Sequence, residues 1–245
     1  MTEVLVTRPR TVAEPLIASL KQLGYAIFHE PLLTIAPTKQ APPDITNIQA
    51  VMITSQCALW ALKQTGTDSC DILNKPCYCI GARTAEAAQD FGFKQVTFSE
   101  GDGRKLAELV KVNLPVVSSP SILYLAGEDT ASAAQRLLME AGYRIAKWPL
   151  YKAHEMAHFS PVLQEKLRQH KLSAALFFSP RTAGAFARLV AQYKLQACCE
   201  GLTAIGMSDA AIPALRPFSW GGMAVADIPS EEAMTACLQR LCPVS

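Results

Sequence analysis

Five short stretches of this chain combine hydroxyls, glycines and arginines at regular positions. They are Thr7-Arg8, Thr54-Ser55, Gly81-Ala82-Arg83-Thr84, Ser179-Pro180-Arg181 and Gly206-Met207-Ser208. Each follows a short apolar run and opens an amphipathic one. Free N–H groups and the dipole of a helix start favour negative charge, and glycine lets a backbone come close to a ligand. Taken singly, each hydroxyl is accounted for as a helix N-cap, worth about 1 kcal/mol, and Pro180 suits a first helical position. Taken together, with Arg8, Arg83 and Arg181 beside them, the stretches predict a ligand that carries several negative groups. Tyr151 is the one polar aromatic that stands out. It closes Trp148-Pro149-Leu150 and reads either as an interface tyrosine with a satisfied hydroxyl or as a phenol aimed at the ligand.

Other chemistries lack their residues. The chain has no GxxxxGK[ST] phosphate loop, no GxGxxG after a strand and no GxSxG elbow. His29, His154, His158 and His170 show no metal spacing, and His154 and His158, near expected loop residues, read as surface histidines. The eight cysteines include the pairs Cys77/Cys79 and Cys198/Cys199. These do not follow the usual CxxC pattern and read as small apolar filler in a reduced compartment. No metal or cofactor is expected.

The elements that must hold these residues alternate. Val4–Val6 reads as a buried strand. A helix follows with Val12, Leu16, Leu20 and Leu23 on one face, stopped by Gly24, and Ala26–Phe28 is the next strand. Further strands are predicted at Ala50–Ile53, Cys77–Ile80, Val96–Phe98, Ala174–Phe178, Leu202–Ile205 and Met223–Ala226. Helices are predicted over Ser55–Leu62, Thr84–Phe91 and Arg104–Val110, and from near Pro180, Ser208 and Ser230. Strict alternation of strand and helix implies parallel sheets covered by helices. In such sheets ligands bind outside the carboxyl ends of the strands, where the five stretches fall.

The pattern also occurs twice. VLVTRPRTVAEPLIASLKQLGYAIFHEPL from Val4 aligns without a gap on ILYLAGEDTASAAQRLLMEAGYRIAKWPL from Ile122, an offset of 118 residues. AVMITSQCALWAL resembles AALFFSPRTAGAF, and CIGARTAEAA resembles AIGMSDAAIP. The expected fold is therefore α/β with two similar lobes, each a parallel sheet flanked by helices, and a cleft between them for a small molecule. Two domain schemes fit. One cuts the chain in the linker around Asn113–Ser121. In the other, segments 30–36 and 148–154 cross between lobes, so that residues 1–35 join 154–245 and residues 36–153 form an inserted lobe. The chain has 245 residues, half of them hydrophobic and 18% charged, with a formal net charge of +2. That is enough for two cores and speaks against disorder. No basic block points to nucleic acid, no apolar run approaches a membrane span, and no signal-peptide core is visible. The expected location is the cytoplasm.

The ordered set VLVTRP, EPLLTI, ITS, IGARTAEAA, LAGE, AGY…PLY ending at Tyr151, FFSP, AIG and ADIPSEEAM resembles the uroporphyrinogen-III synthase family over nearly the whole chain. The resemblance implies a cofactor-independent hydro-lyase of tetrapyrrole biosynthesis. Such an enzyme removes a hydroxyl from linear hydroxymethylbilane as water and closes the ring with inversion of the last pyrrole, through a spiro intermediate. It also implies two α/β lobes joined by a two-stranded connector, which favours the inserted-lobe scheme. By this resemblance Tyr151 assists departure of the hydroxyl, and Thr54, Ser55, Thr84 and Ser179 bind substrate carboxylates. Arg8, Arg83, Arg181 and Ser208 complete the expected substrate set. The resemblance further implies a monomer that receives its substrate from hydroxymethylbilane synthase. Two residues depart from the family pattern: Asp209 stands where threonine is frequent, and Cys57 where arginine is frequent. A two-lobed sugar or amino-acid sensor is the competing reading. Its usual cleft aromatics are scarce here, at 7% of residues.

Overall fold

The structure is a computed structural model that describes residues 2–66, 70–116, 121–130 and 132–244. Along the chain run β1 (Glu3–Val6), α1 (Glu14–Gln22), β2 (Ala26–His29), β3 (Leu33–Pro37), β4 (Ile48–Ile53) and α2 (Gln56–Thr65). Next come α3 (Cys70–Leu73), β5 (Pro76–Ile80), α4 (Ala82–Phe91), β6 (Gln95–Ser99), α5 (Gly103–Asn113), β7 (Ser121–Gly127), α6 (Ala133–Glu140) and β8 (Arg144–Glu155). The chain ends with α7 (Pro161–Arg168), β9 (Ala174–Phe177), α8 (Pro180–Gln192), β10 (Thr203–Gly206), α9 (Ile212–Leu215), β11 (Gly222–Val225) and α10 (Glu231–Leu241). None of the described helices is long and apolar enough to cross a membrane.

These elements form two compact units, Met1–Thr34 with His154–Ser245, and Ile35–Ala153. The division points fall inside β3 and β8, which are neighbours in one sheet. Two adjacent strands therefore carry the chain from one unit to the other.

The first unit holds a five-stranded sheet in the order β11-β10-β9-β1-β2, parallel throughout. Alternation along its strands feeds two cores. Leu5, Ala175 and Phe177 join Leu163, Phe186 and Leu189 on one face. Val4, Val6 and Leu176 join Leu16, Leu20 and Leu238 on the other. Burial on both faces is why these strands read as unbroken apolar runs.

The second unit holds a six-stranded sheet in the order β3-β8-β7-β4-β5-β6. From β8 to β6 it is parallel. Val51, Ile53, Leu123 and Leu125 face a core with Leu59, Leu62 and Ala88. Met52, Ile122 and Tyr124 face another with Leu106, Val110 and Leu138. Strand β3 departs from the expected parallel sheet. Thr34 within it and its flanking residues Leu32 and Thr38 bond to His154, Met156 and Leu150 respectively, a register that runs antiparallel to β8.

The two sheets share one plan. Strands β1, β2, β9, β10 and β11 of the first correspond in order to β7, β8, β4, β5 and β6 of the second, with β3 added at an edge. Gly24 and Gly142, which are equivalent in the repeat, both take φ of 92° after α1 and α6. That left-handed turn is open to glycine at little cost.

Several elements differ from the sequence reading. Leu23 is 41% exposed. It is the C-cap of α1, beyond the buried face of Leu16, Ile17 and Leu20, and its N–H closes the last turn onto Ser19. Val12 belongs to a 3-10 turn, Arg10–Val12, ahead of that helix. The helix expected from Ser208 is a 3-10 turn, Asp209–Ala211, followed by the single turn of α9. His154 lies near the end of β8 and, like His158, is exposed. The helices α3 and α7 had no counterpart in the pattern. Of the linker around Asn113–Ser121, α5 ends at Asn113 and β7 starts at Ser121, while residues 117–120 lie outside those described.

Candidate active site

Tyr151 sits where a ladder irregularity has turned it. Along the β7–β8 pair, Ala126 faces Pro149 but Gly127 faces Tyr151, so β8 carries one extra residue there. Pro149 has no N–H to give a ladder, which suits a bulge. The consequence shows in packing. Leu150 and Tyr151 are consecutive, yet both pack on the core that holds Trp148 and Leu125. A regular strand would have sent them to opposite faces.

The phenol lies close to the hydroxyls of Ser55 and Thr130, near enough for both to favour its ionised form. Ser55 is the N-cap of α2, and its oxygen also accepts from the Cys57 N–H at 3.2 Å. Thr130 belongs to the turn after β7, where its N–H bonds to the Gly127 carbonyl at 3.2 Å. Burial is the main cause that pushes the Tyr151 phenol up to about 12, and the neighbouring Ser55 and Thr130 hydroxyls act the other way. It is therefore a neutral O–H donor across the physiological range. Gly127 makes room for it. A Cβ there would stand 2.9 Å from the Tyr151 ring and 2.7 Å from Thr130 Oγ1.

A second phenol lies behind the first. Tyr124 of β7 is fully buried, shares a 2.9 Å hydrogen bond with Thr54 Oγ1 and lies near Ser132, the N-cap of α6. Burial raises its pKa as well, against the pull of those two hydroxyls. Thr54, Ser55 and Tyr151 are thus brought together with Tyr124, Thr130 and Ser132 where β4, β7 and β8 end.

The other expected residues of this unit lie around α4. Gly81 gives that helix no side-chain cap. Thr84 is buried in its first turn. Arg83 pairs with Glu86 at 3.2 Å on the exposed face, an arrangement worth little in water.

In the first unit, Arg8 lies at the end of β1 with its guanidinium bonded to buried Glu231, which opens α10, and 5.3 Å from the Phe178 ring. Ser179 caps α8 by accepting from the Thr182 N–H at 3.1 Å. Arg181 reaches Glu155 at 3.6 Å, and Arg188 reaches the same carboxylate at 3.1 Å. Ser208 precedes the 3-10 turn without a side-chain cap bond, and Asp209 is exposed. All three arginines foreseen as substrate charges thus have a carboxylate partner within the protein. Cys57 is buried in the first turn of α2, near Tyr151. Cys77 and Cys79 are buried thiols 3.8 Å apart.

Residues missed by the sequence reading are Tyr124, Gly127, Thr130 and Ser132. Their signal is in the repeat. At the offset of 118 residues the first copy has Val6, Pro9, Val12 and Glu14, with Leu33 in the place of Tyr151.

A doubled strand–helix unit, with hydroxyls and helix starts gathered at strand ends around a neutral phenol, defines an α/β protein of the class that binds ligands at the carboxyl ends of its strands. A family model described as uroporphyrinogen-III synthase HemD matches residues 14–236. The chain belongs to the uroporphyrinogen-III synthase family. It is 24% identical over 222 residues to a uroporphyrinogen-III synthase of Chlorobaculum parvum, covering 84% of this chain and 86% of that protein. It is 22% identical over 229 residues to a porphyrin biosynthesis protein HemD of Ruminiclostridium josui, covering 89% of this chain. The chain spans only 44% of the length of that relative. The fold is similar to that of the Helicobacter pylori uroporphyrinogen-III synthetase, with a TM-score of 0.65 and 21% identity over 98% of this chain and all of that one. A mutant uroporphyrinogen III synthase of Thermus thermophilus gives a TM-score of 0.58 and 16% identity over 98% of each chain.

Proposed function

We propose that this protein is a uroporphyrinogen-III synthase: it takes hydroxymethylbilane, removes its terminal hydroxyl as water and closes the macrocycle with the last pyrrole inverted. The observation that carries this reading is the Tyr151 phenol, a neutral O–H set beside the hydroxyls of Ser55 and Thr130. Loss of hydroxide from an electron-rich pyrrole needs an acid only at the departing oxygen, and a neutral phenol can hydrogen-bond there and assist. Departure leaves a delocalised azafulvenium cation. The substrate's eight carboxylates meet helix-start amides and hydroxyls at strand ends, with Thr54, Ser55, Arg83 and Thr84 at the six-stranded sheet. Arg8, Ser179, Arg181 and Ser208 stand at the equivalent ends of the five-stranded sheet.

The rest of the task is conformational. A chain held curled reacts through the inverted, spiro route in preference to spontaneous head-to-tail closure, so orientation supplies much of the catalysis. The reading makes the protein a hydro-lyase that uses no cofactor. It acts as a cytoplasmic monomer supplied by hydroxymethylbilane synthase.

The test is direct. Purified protein is given hydroxymethylbilane, and the ring isomers are separated by chromatography. The type III isomer, formed faster than the uncatalysed ring closure, is expected; type I alone at the uncatalysed rate overturns the proposal.

A further inference from the structure

We infer that Thr130 is a positioning residue for Tyr151, holding the phenol by its hydroxyl from a turn that Gly127 and Lys147 set in place. The inference rests on the role given to Tyr151 above and adds a residue to it.

Four observations converge. First, the Tyr151 ring and the Thr130 hydroxyl meet at the same point above Gly127, with Ser55 as the other nearby hydroxyl. Ser55 already accepts from the Cys57 N–H as the cap of α2, so its orientation is set by its helix. Thr130 is the partner without a capping duty. Second, the turn that carries Thr130 is fastened to β8 on both sides of Tyr151. Lys147 Nζ donates to the carbonyls of Glu128 at 2.9 Å and Thr130 at 3.1 Å. Lys152 Nζ lies 2.8 Å from the Glu128 carboxylate, and the Glu128 N–H donates to the Tyr151 carbonyl at 2.7 Å. Third, the Thr130 hydroxyl and the Tyr151 ring both crowd the missing side chain of Gly127, at 2.7 and 2.9 Å from where a Cβ would stand. The ring and the hydroxyl therefore share one space that only glycine leaves open. Fourth, the first copy of the repeat replaces the whole set, with Pro9, Val12 and Leu33 for Gly127, Thr130 and Tyr151. The copy with the phenol has the hydroxyl and the gap; the copy without the phenol has neither.

The hydroxyl matters because a phenol on a two-bond axis can swing its O–H. A second oxygen beside it restricts where the proton points. Removing one neutral hydrogen bond changes a rate by about tenfold when it acts only in the transition state.

The experiment compares Thr130→Val, which keeps the shape and deletes the hydroxyl, with Thr130→Ser, which keeps the hydroxyl. Each is made in the full chain, alone and with Tyr151→Phe, and assayed for type III isomer formation. Thr130→Val is expected to lower kcat about tenfold with KM nearly unchanged, Thr130→Ser to restore most of it, and Thr130→Val to have no further effect beside Tyr151→Phe. The carbon-13 shift of the Tyr151 Cζ at neutral pH, read by NMR, is expected to move in Thr130→Val and to stay in Thr130→Ser. Equal kcat in wild type and Thr130→Val, or an unmoved Cζ shift, overturns the inference. If the wild type forms no type III isomer, the functional reading fails, while the Cζ shift still decides whether Thr130 holds the phenol.

Discussion

The two copies of the repeat share a strand order and a glycine stop after the helix but differ in chemistry at one end. In the second copy, Tyr124, Gly127, Thr130 and Tyr151 gather hydroxyls between β7 and β8, and the neighbouring strand adds Thr54 and Ser55. In the first, the equivalent positions are Val6, Pro9, Val12 and Leu33, and the neighbouring strand offers Phe178 and Ser179. There a single charged group, Arg8, lies beside Phe178 and is neutralised by Glu231. A duplicated fold thus keeps its backbone plan while one copy carries a buried phenol and the other an ion pair. Strand ends are a scaffold, and chemistry depends on which side chains occupy a few of their positions.

The sharpest way to break this contrast is at the phenol. Tyr151→Phe is expected to lower kcat by about 10²–10⁴-fold, the range of acid assistance, while binding of the tetrapyrrole product measured by calorimetry changes little. Near-wild-type turnover would remove the chemical asymmetry between the copies. Next in size is Gly127→Ala. Its methyl group overlaps the ring and the Thr130 oxygen, so turnover is expected to fall with a loss of stability of about 1–3 kcal/mol, read by urea unfolding.

In the first copy the expected effect is on stability. Glu231→Gln leaves the buried Arg8 charge uncompensated and is expected to cost about 3 kcal/mol. A variant as stable as wild type would show that the ion pair contributes nothing to holding β1 against α10. Smaller again is Ser179→Ala, which removes a cap from α8 and is expected to cost about 1 kcal/mol in thermal or urea unfolding.

A pH dependence also follows. Because the folded pKa of Tyr151 lies above the ordinary tyrosine value of 10.0, near 12, the folded state holds this proton more tightly than the unfolded chain does. The stabilisation is complete below pH 10 and is lost as the pH rises towards about 12. Tyr151→Phe is expected to make unfolding free energy fall less steeply over that window. Tyr124 contributes in the same direction, so the slope shrinks without vanishing.

Much of the fold was legible because strand and helix periodicity is written locally. The run Val4–Val6 and the stop at Gly24 need only neighbours in sequence to be read. Capping serines were legible for the same reason: Ser55, Ser179 and Ser230 each accept from an N–H two or three residues on. Tyr151 was visible as a candidate, but the reason it faces Ser55 was not. That depends on a bulge opposite Gly127, and a ladder register between strands is not a property of either strand alone. The partner of Arg8 was hidden in the same way, since Glu231 is more than 200 residues distant in the chain. Leu23 was misplaced because helical spacing does not say where the last turn closes.

By itself, then, the order of residues determined a doubled alternation of strand and helix, the hydroxyls that open its helices, and the family to which it belongs. The tertiary structure decided which hydroxyls meet and which charges cancel. The physical reason is range: hydrophobic period and capping act over a few residues, whereas the meeting of Ser55, Gly127, Thr130 and Tyr151 requires three strands to pair in one register with one residue left over.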